Sequence, residues 1–143
     1  MGELEEVFEK RWRTLERRSL KQNLPMANYN QVHQLFFQSY LNGFKCDYCK
    51  NQLKIKDNPP YYFVWSLEHK RSLYFGGTND IENLAIVCHR CNITKGPMLE
   101  ETWREIIKSL SPELFNKMCN ELFAGRMSSE LKSQGLGRNE TDE

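Results

Sequence analysis

The sequence predicts a single α+β domain, with two short strands and a helix at its centre, stapled by cysteines and flanked by helices on both sides. Three observations predict it. Apolar residues recur at helical spacing near both ends of the chain, at Leu4, Val7, Phe8, Trp12 and Leu15 and again at Leu99, Trp103, Ile106, Ile107 and Leu110. Two short runs in the middle read as strands: Tyr61 to His69, rich in aromatic and β-branched residues, and the apolar Asn83 to Cys88. Four of the five cysteines form two Cys-x-x-Cys pairs, Cys46/Cys49 and Cys88/Cys91.

The elements follow in order. A first helix is expected over residues 3–21, with Lys10, Arg13, Arg17 and Lys21 on the face opposite its apolar stripe. Residues 22–30 connect it to a second helix from about Gln31 to Leu41, with Val32, Leu35, Phe36 and Tyr40 inward and Gly43 as its stop. Phe44 to Cys49 outlines a tight metal-binding turn. Leu53 to Lys56 alternates briefly as a further strand, and Asp57-Asn58-Pro59-Pro60 is a turn. Lys70 to Glu82, with Gly76-Gly77 inside, reads as a loop. A helix opens near Cys88–Cys91 and stops at Gly96-Pro97. Ser111-Pro112-Glu113 starts the last long helix, with Ser111 as cap, Leu114, Phe115, Met118 and Leu122 as its stripe and Gly125 as its end. A short turn near Ser129 to Lys132 follows, and the polar tail 135–143 is expected to be disordered. The division is 1–30 as a helical arm, 31–98 as the core, 99–134 as C-terminal helices and 135–143 as the tail.

A chain of 143 residues suits one core and not two. No apolar run approaches the ~18 residues of a membrane span. The acidic opening, Glu3, Glu5 and Glu6, is unlike a signal peptide, so a cytoplasmic location is expected. Net charge is +1, unevenly spread: residues 10–98 carry fourteen Lys/Arg against six Asp/Glu. A basic middle suits an acidic partner such as a phosphate backbone, although solvated surface alone also accounts for it.

In a reducing compartment, paired cysteines point to metal and not to disulfides. Four thiolates suit a tetrahedral structural Zn²⁺, closed to substrate. The pairs are 38 residues apart in sequence, so the ion ties two distant segments. Cys119 falls in an apolar helical pattern and reads as a small core residue. His89, inside the second pair, is a competing ligand in principle, but with four cysteines available it reads as exposed or close to phosphate.

Between the pairs lie residues fitted to phosphodiester hydrolysis, which needs a base for water, a hard cation and positive groups near the phosphate. His69 can take a proton near neutral pH. Glu68 and Asn92 offer oxygen atoms, which suit Mg²⁺ or Mn²⁺. Adjacent strand residues point to opposite faces, so Glu68 and His69 share a site only if the strand ends there. Taken singly, His69 is a satisfied polar residue, Asn92 a helix cap and Lys95 a solvated charge; their roles depend on the whole pattern.

That pattern, Glu68-His69, Gly76-Gly77, Asn83-Leu84, Cys88-His89-Arg90-Cys91-Asn92 and Lys95, resembles the HNH endonuclease family over about residues 31–98, with Gly43-Phe44-Lys45-Cys46-Asp47-Tyr48-Cys49 similar to the family's first zinc pair. The resemblance implies a zinc-stapled ββα-metal core. It implies His69 as general base, Glu68 and Asn92 as ligands of a catalytic Mg²⁺ or Mn²⁺, Asn83 as the residue pinning the loop, and Cys46, Cys49, Cys88 and Cys91 on zinc. Asn92 directly after the last cysteine also resembles the phage endonuclease VII junction resolvases. Three features depart from the family pattern: Glu68 where Asp is commoner, Asn92 in place of His, and Lys70-Arg71-Ser72-Leu73-Tyr74-Phe75 without the usual Pro. Lys70, Arg71, Arg90, Lys95, Arg13 and Arg17 are the expected nucleic-acid contacts, while Tyr74 and Phe75 read equally as core or as contacts. The expected activity is metal-dependent hydrolysis of DNA, nicking as a monomer or cutting both strands as a homodimer. The alternatives are a junction resolvase with the same chemistry and a non-catalytic zinc-stabilised nucleic-acid-binding module.

Overall fold

The computed structural model describes residues 2–133, with side chains to residue 126. The element order is α1 (Gly2–Lys21), α2 (Tyr29–Leu41), β1 (Trp65–His69), β2 (Leu84–Cys88), α3 (His89–Lys95), α4 (Glu100–Ser109) and α5 (Pro112–Ser133), with single 3₁₀ turns at Leu73–Phe75 and Ile81–Asn83. Among the described residues this is an α+β fold of five helices and one two-stranded sheet. No helix there is long and apolar enough to cross a membrane.

The helix ends follow from the sequence. α1 has Glu3 and Glu5 in its first turn and Arg18 and Lys21 in its last, each matched to the helix dipole. The Asn28 side chain accepts from the Gln31 N–H at 3.0 Å and opens α2 two residues earlier than expected. Ser111 Oγ accepts the Leu114 N–H at 3.2 Å ahead of α5. α5 runs through Gly125 to Ser133 instead of stopping at the glycine. A mid-helix Gly costs only about 1 kcal/mol relative to Ala, and helix packing overrides it. Its inward residues are Phe115, Cys119 and Phe123, spaced by four, whereas Leu114 and Leu122 are exposed. Tyr40 and Leu99 are also exposed, against the expected stripes.

β1 and β2 are antiparallel, with Trp65 opposite Cys88, Glu68 opposite Ala85 and His69 opposite Leu84. The first strand is shorter than expected because the backbone of residues 62–64 is committed elsewhere. Tyr62 and Val64 carbonyls accept the N–H groups of Arg90 and His89, and the Phe63 carbonyl accepts that of Lys54. Leu53 to Lys56 contributes only an isolated bridge, Lys54 to Val64. Aromatic rings join the arm to the sheet: Phe36, fully buried, lies 4.5 Å from Trp65, 5.5 Å from Phe8 and 5.9 Å from Phe44 by ring centroids. Arg11 donates to the Trp65 carbonyl at 2.7 Å and lies over its ring. The expected disorder of 135–143 lies outside the described residues.

Candidate metal centre and cleft

Cys46, Cys49, Cys88 and Cys91 converge, their sulfurs all within 4.8 Å of one another. The first pair sits on a turn that needs Lys50 at φ +65°. The second pair straddles the start of α3, where Cys88 Sγ accepts the Cys91 N–H at 3.3 Å and acts as the helix cap. Cys46 Sγ accepts N–H groups from Tyr48, Cys49 and Cys88 at 3.3–3.4 Å, and Asn51 Nδ2 donates to Cys49 Sγ at 3.2 Å. Donors aimed at sulfur favour thiolates. Hydrogen bonds from Cys46 and the other two thiols push Cys49 down, while Cys46 and its neighbours push Cys91 up. Four clustered sulfurs, three of them on fully buried cysteines, cannot all ionise without a cation between them, so the donor set fits a structural metal such as Zn²⁺. His89 is not in the cluster; its ring meets Phe123 edge-on at 5.4 Å.

Next to this centre, a cleft of about 440 Å³ is lined by Glu68 and His69 from the end of β1, Asn92 and Gly96 from α3 and its cap, Arg18 and Gln22 from the end of α1, and Ser72 to Tyr74 from the loop. Both neighbours Glu68 and His69 reach it because β1 ends at His69. The loop beyond is held by Asn83: Oδ1 accepts the Arg71 N–H at 2.8 Å, and Nδ2 donates to the Arg71 and Thr78 carbonyls at 3.1 and 2.8 Å. Gly77 is required there, since a Cβ would fall 1.9 Å from the Arg71 carbonyl oxygen.

His69 is buried, with Nε2 2.8 Å from Asn79 Oδ1. Asn79 Nδ2 donates to the Pro25 carbonyl at 2.9 Å and to Ser19 Oγ at 2.8 Å. Because a carbonyl only accepts, the Asn79 atom facing Pro25 is the amide nitrogen, and the one facing His69 is the oxygen. His69 therefore carries its proton on Nε2 in the neutral ring, and Nδ1 keeps the lone pair. Burial pushes its pKa below the ordinary 6.5, helped by the charges of Arg18 and Lys95 and opposed by the Asn79 bond.

Glu68 is buried, with Oε2 3.0 Å from Lys95 Nζ. The two are not aligned as a hydrogen bond, and neither atom has another partner. Burial raises the Glu68 pKa from 4.5 to about 7 against the opposing charge of Lys95, so desolvation is the larger effect. Asn92 Nδ2 donates to Ser66 Oγ at 2.9 Å, which leaves its oxygen for other use. A buried carboxylate oxygen without a hydrogen bond and an amide oxygen on residues lining one polar cleft make a donor set that fits a hard divalent cation.

The expected phosphate contacts divide. Arg13, Arg17 and Arg71 are exposed. Lys70 is half-buried and lines a recess with Gln38 and Leu84, apart from the cleft. Arg90 and Lys95 are not at the surface at all. Arg90, 1 % exposed, donates to Asn116 and Asn120 of α5 at 2.9 Å and lies over the rings of Phe63 and Phe115, clamping α3 to α5. Lys95, also 1 % exposed, is committed to Glu68. Sequence reasoning missed Arg18, Gln22, Ser19 and Asn79. Ser19 did leave a trace, a polar residue four positions after Leu15 on the apolar stripe of α1.

A four-cysteine cluster that fits a structural metal thus lies beside a strand-strand-helix cleft lined by acid, histidine and amide side chains. Residues 46–97 match the family model described as HNH endonuclease. The match implies a metal-dependent nuclease type of function with nucleic acid as substrate. Neither the curated proteins nor the solved structures gave a match.

The metal centre makes a direct prediction. The purified protein should carry about one zinc per chain by elemental analysis. Cys46→Ser or Cys91→Ser should lose the metal and the cooperative thermal transition, and Cys119→Ser should keep both.

Proposed function

We propose that the protein is a DNA endonuclease in which His69 is the general base and Glu68 with Asn92 holds one Mg²⁺ or Mn²⁺. The observation that carries this reading is that Glu68, His69 and Asn92, from two elements, line one cleft. The low pKa of His69 keeps the ring neutral at pH 7, and its Nδ1 accepts the proton of the attacking water. Asn79 is a positioning residue: through Nε2 it fixes the tautomer that leaves Nδ1 as the base. Asn83 holds the loop that carries the cleft's outer wall. The cation would supply positive charge to the phosphate and the leaving 3′ oxygen. Arg18 faces the same cleft and suits a non-bridging phosphate oxygen. Lys95 balances the charge of Glu68. Arg13, Arg17, Lys70 and Arg71 act as backbone contacts that set affinity without reading sequence. The working unit is residues 31–98, with 1–30 and 99–134 as supporting arms.

The reading predicts competition between protons and the cation. Glu68 is neutral below about pH 7, and only its carboxylate binds metal. Mn²⁺ binding to the zinc-loaded protein, followed by calorimetry, should therefore weaken by up to tenfold per pH unit below 7. Glu68→Gln should lose both the Mn²⁺ binding and plasmid nicking. Binding that ignores pH and survives Glu68→Gln would place the cation elsewhere.

Asn79→Leu should lower the nicking rate about tenfold to a hundredfold, the usual cost of losing a group that orients a ligand or base. The ¹⁵N shifts of His69 should change with it from the single Nε2–H tautomer to a mixture. A folded variant that nicks slowly with the tautomer unchanged would contradict the positioning role.

A further inference from the structure

One feature of the cleft has no part in the chemistry above. Tyr74 is 84 % exposed, the most exposed of the large hydrophobic side chains described, and it lines the cleft with Glu68, His69 and Asn92. Phe75 beside it is 49 % exposed, its ring 4.8 Å from Tyr74 at 76°. An exposed aromatic pair on a loose loop would mean little, but this loop is held. Ser72 Oγ caps the Tyr74 N–H at 3.1 Å, and the Gly76 and Gly77 N–H groups return to the Leu73 and Ser72 carbonyls at 3.2 and 2.9 Å. Arg71 Nε donates to the Phe75 carbonyl at 2.8 Å, and Asn83 ties both ends of the loop. The ring is thus presented on a fixed support, with Arg18 in the cleft and Arg71 exposed in the same loop.

We propose that Tyr74 is a stacking platform for an unpaired nucleobase adjoining the phosphate to be cut, so that the substrate is DNA with unpaired bases in preference to intact duplex. The inference rests on the nucleic-acid reading of the cleft. An aromatic face beside cations is what single-stranded segments need, because every base has a π-face and the cations take the phosphates. In intact duplex those faces are covered by the neighbouring base pairs, and the ring has nothing to stack on.

Binding is measured without divalent cation, so that no cutting is involved, using zinc-loaded full-length protein. Anisotropy compares a labelled duplex with the same duplex carrying a short unpaired bulge. Wild type should favour the bulge. Tyr74→Ala should weaken bulge binding roughly fivefold to a hundredfold, the range for losing one aromatic–base stack, and leave duplex binding within about twofold. Tyr74→Phe should keep the preference. Equal affinity of wild type for the two DNAs overturns the proposal. So does a Tyr74→Ala variant, folded by circular dichroism, that loses nothing or loses both DNAs equally; the equal loss would mark a general contact instead of a stack. A cutting control on the same bulged duplex, beside plasmid, with Mg²⁺ or Mn²⁺ separates the two readings. A Tyr74-dependent bulge preference in a protein that never nicks upholds the platform and refutes the nuclease, whereas nicking with Tyr74 indifferent does the reverse.

Discussion

The convergence of four cysteine sulfurs is the constraint on which the rest of the structure depends. It ties the turn at Cys46–Cys49 to the junction of β2 and α3, across 38 residues of intervening chain. That junction sets two things at once. It fixes α3, whose cap is Cys88 and whose fourth and seventh residues are Asn92 and Lys95. It also fixes β2, whose register with β1 places Glu68 and His69 at the strand end. A structural zinc in such a cluster is worth roughly 10–16 kcal/mol in small zinc-finger peptides, comparable with the ~5–15 kcal/mol net stability of a whole domain. With a two-stranded sheet of five residues each and a seven-residue helix, this centre is small, and the cluster reinforces the aromatic core where β2 meets α3.

The cleft beside the cysteines is electrostatically costly. It buries a carboxylate and an ammonium at 3.0 Å and a histidine adjoining both. Removing such charges from water costs more than their attraction commonly returns, which is why Glu68 titrates near 7 despite Lys95. A domain selected for stability alone would fill that space with apolar side chains. Such charges fit the proposed site, in which the carboxylate would exchange Lys95 for a cation and the imidazole would act as a neutral base. The arm contributes to this directly: Ser19 in α1 and the Pro25 carbonyl hold Asn79, which holds His69. The family match begins at Cys46, so both anchors of Asn79 lie outside it.

The sequence made the centre of the fold legible because its signals are local and dense. Two Cys-x-x-Cys pairs, an acid-His pair and an Asn next to the last cysteine carry their meaning in spacing, and the structure brings the cysteines together in one cluster and the acid, His and Asn side chains into one cleft. Helix positions were legible from apolar periodicity, α1 to within a residue. What the sequence concealed was decided by tertiary packing. Arg90 reads as a free cation, yet Asn116, Asn120 and two aromatic rings from elsewhere in the chain enclose it. Lys95 reads as a nucleic-acid contact until its pairing with Glu68 is known. Asn79 lies in a polar loop where nothing local marks it, because its partners are 54 and 60 residues away. The short β1 and the long α5 were missed for related reasons: backbone groups near Val64 serve α3 and Lys54, and packing carries α5 across Gly125.

The most direct test of the central claim is cleavage of supercoiled plasmid by zinc-loaded protein in Mg²⁺ or Mn²⁺, with wild type and His69→Ala compared at equal DNA occupancy. The account predicts metal-dependent nicking by wild type that a chelator stops, and a loss of at least about a hundredfold in the variant with its DNA affinity and zinc content intact. Nicking that persists undiminished in a folded His69→Ala protein would contradict it.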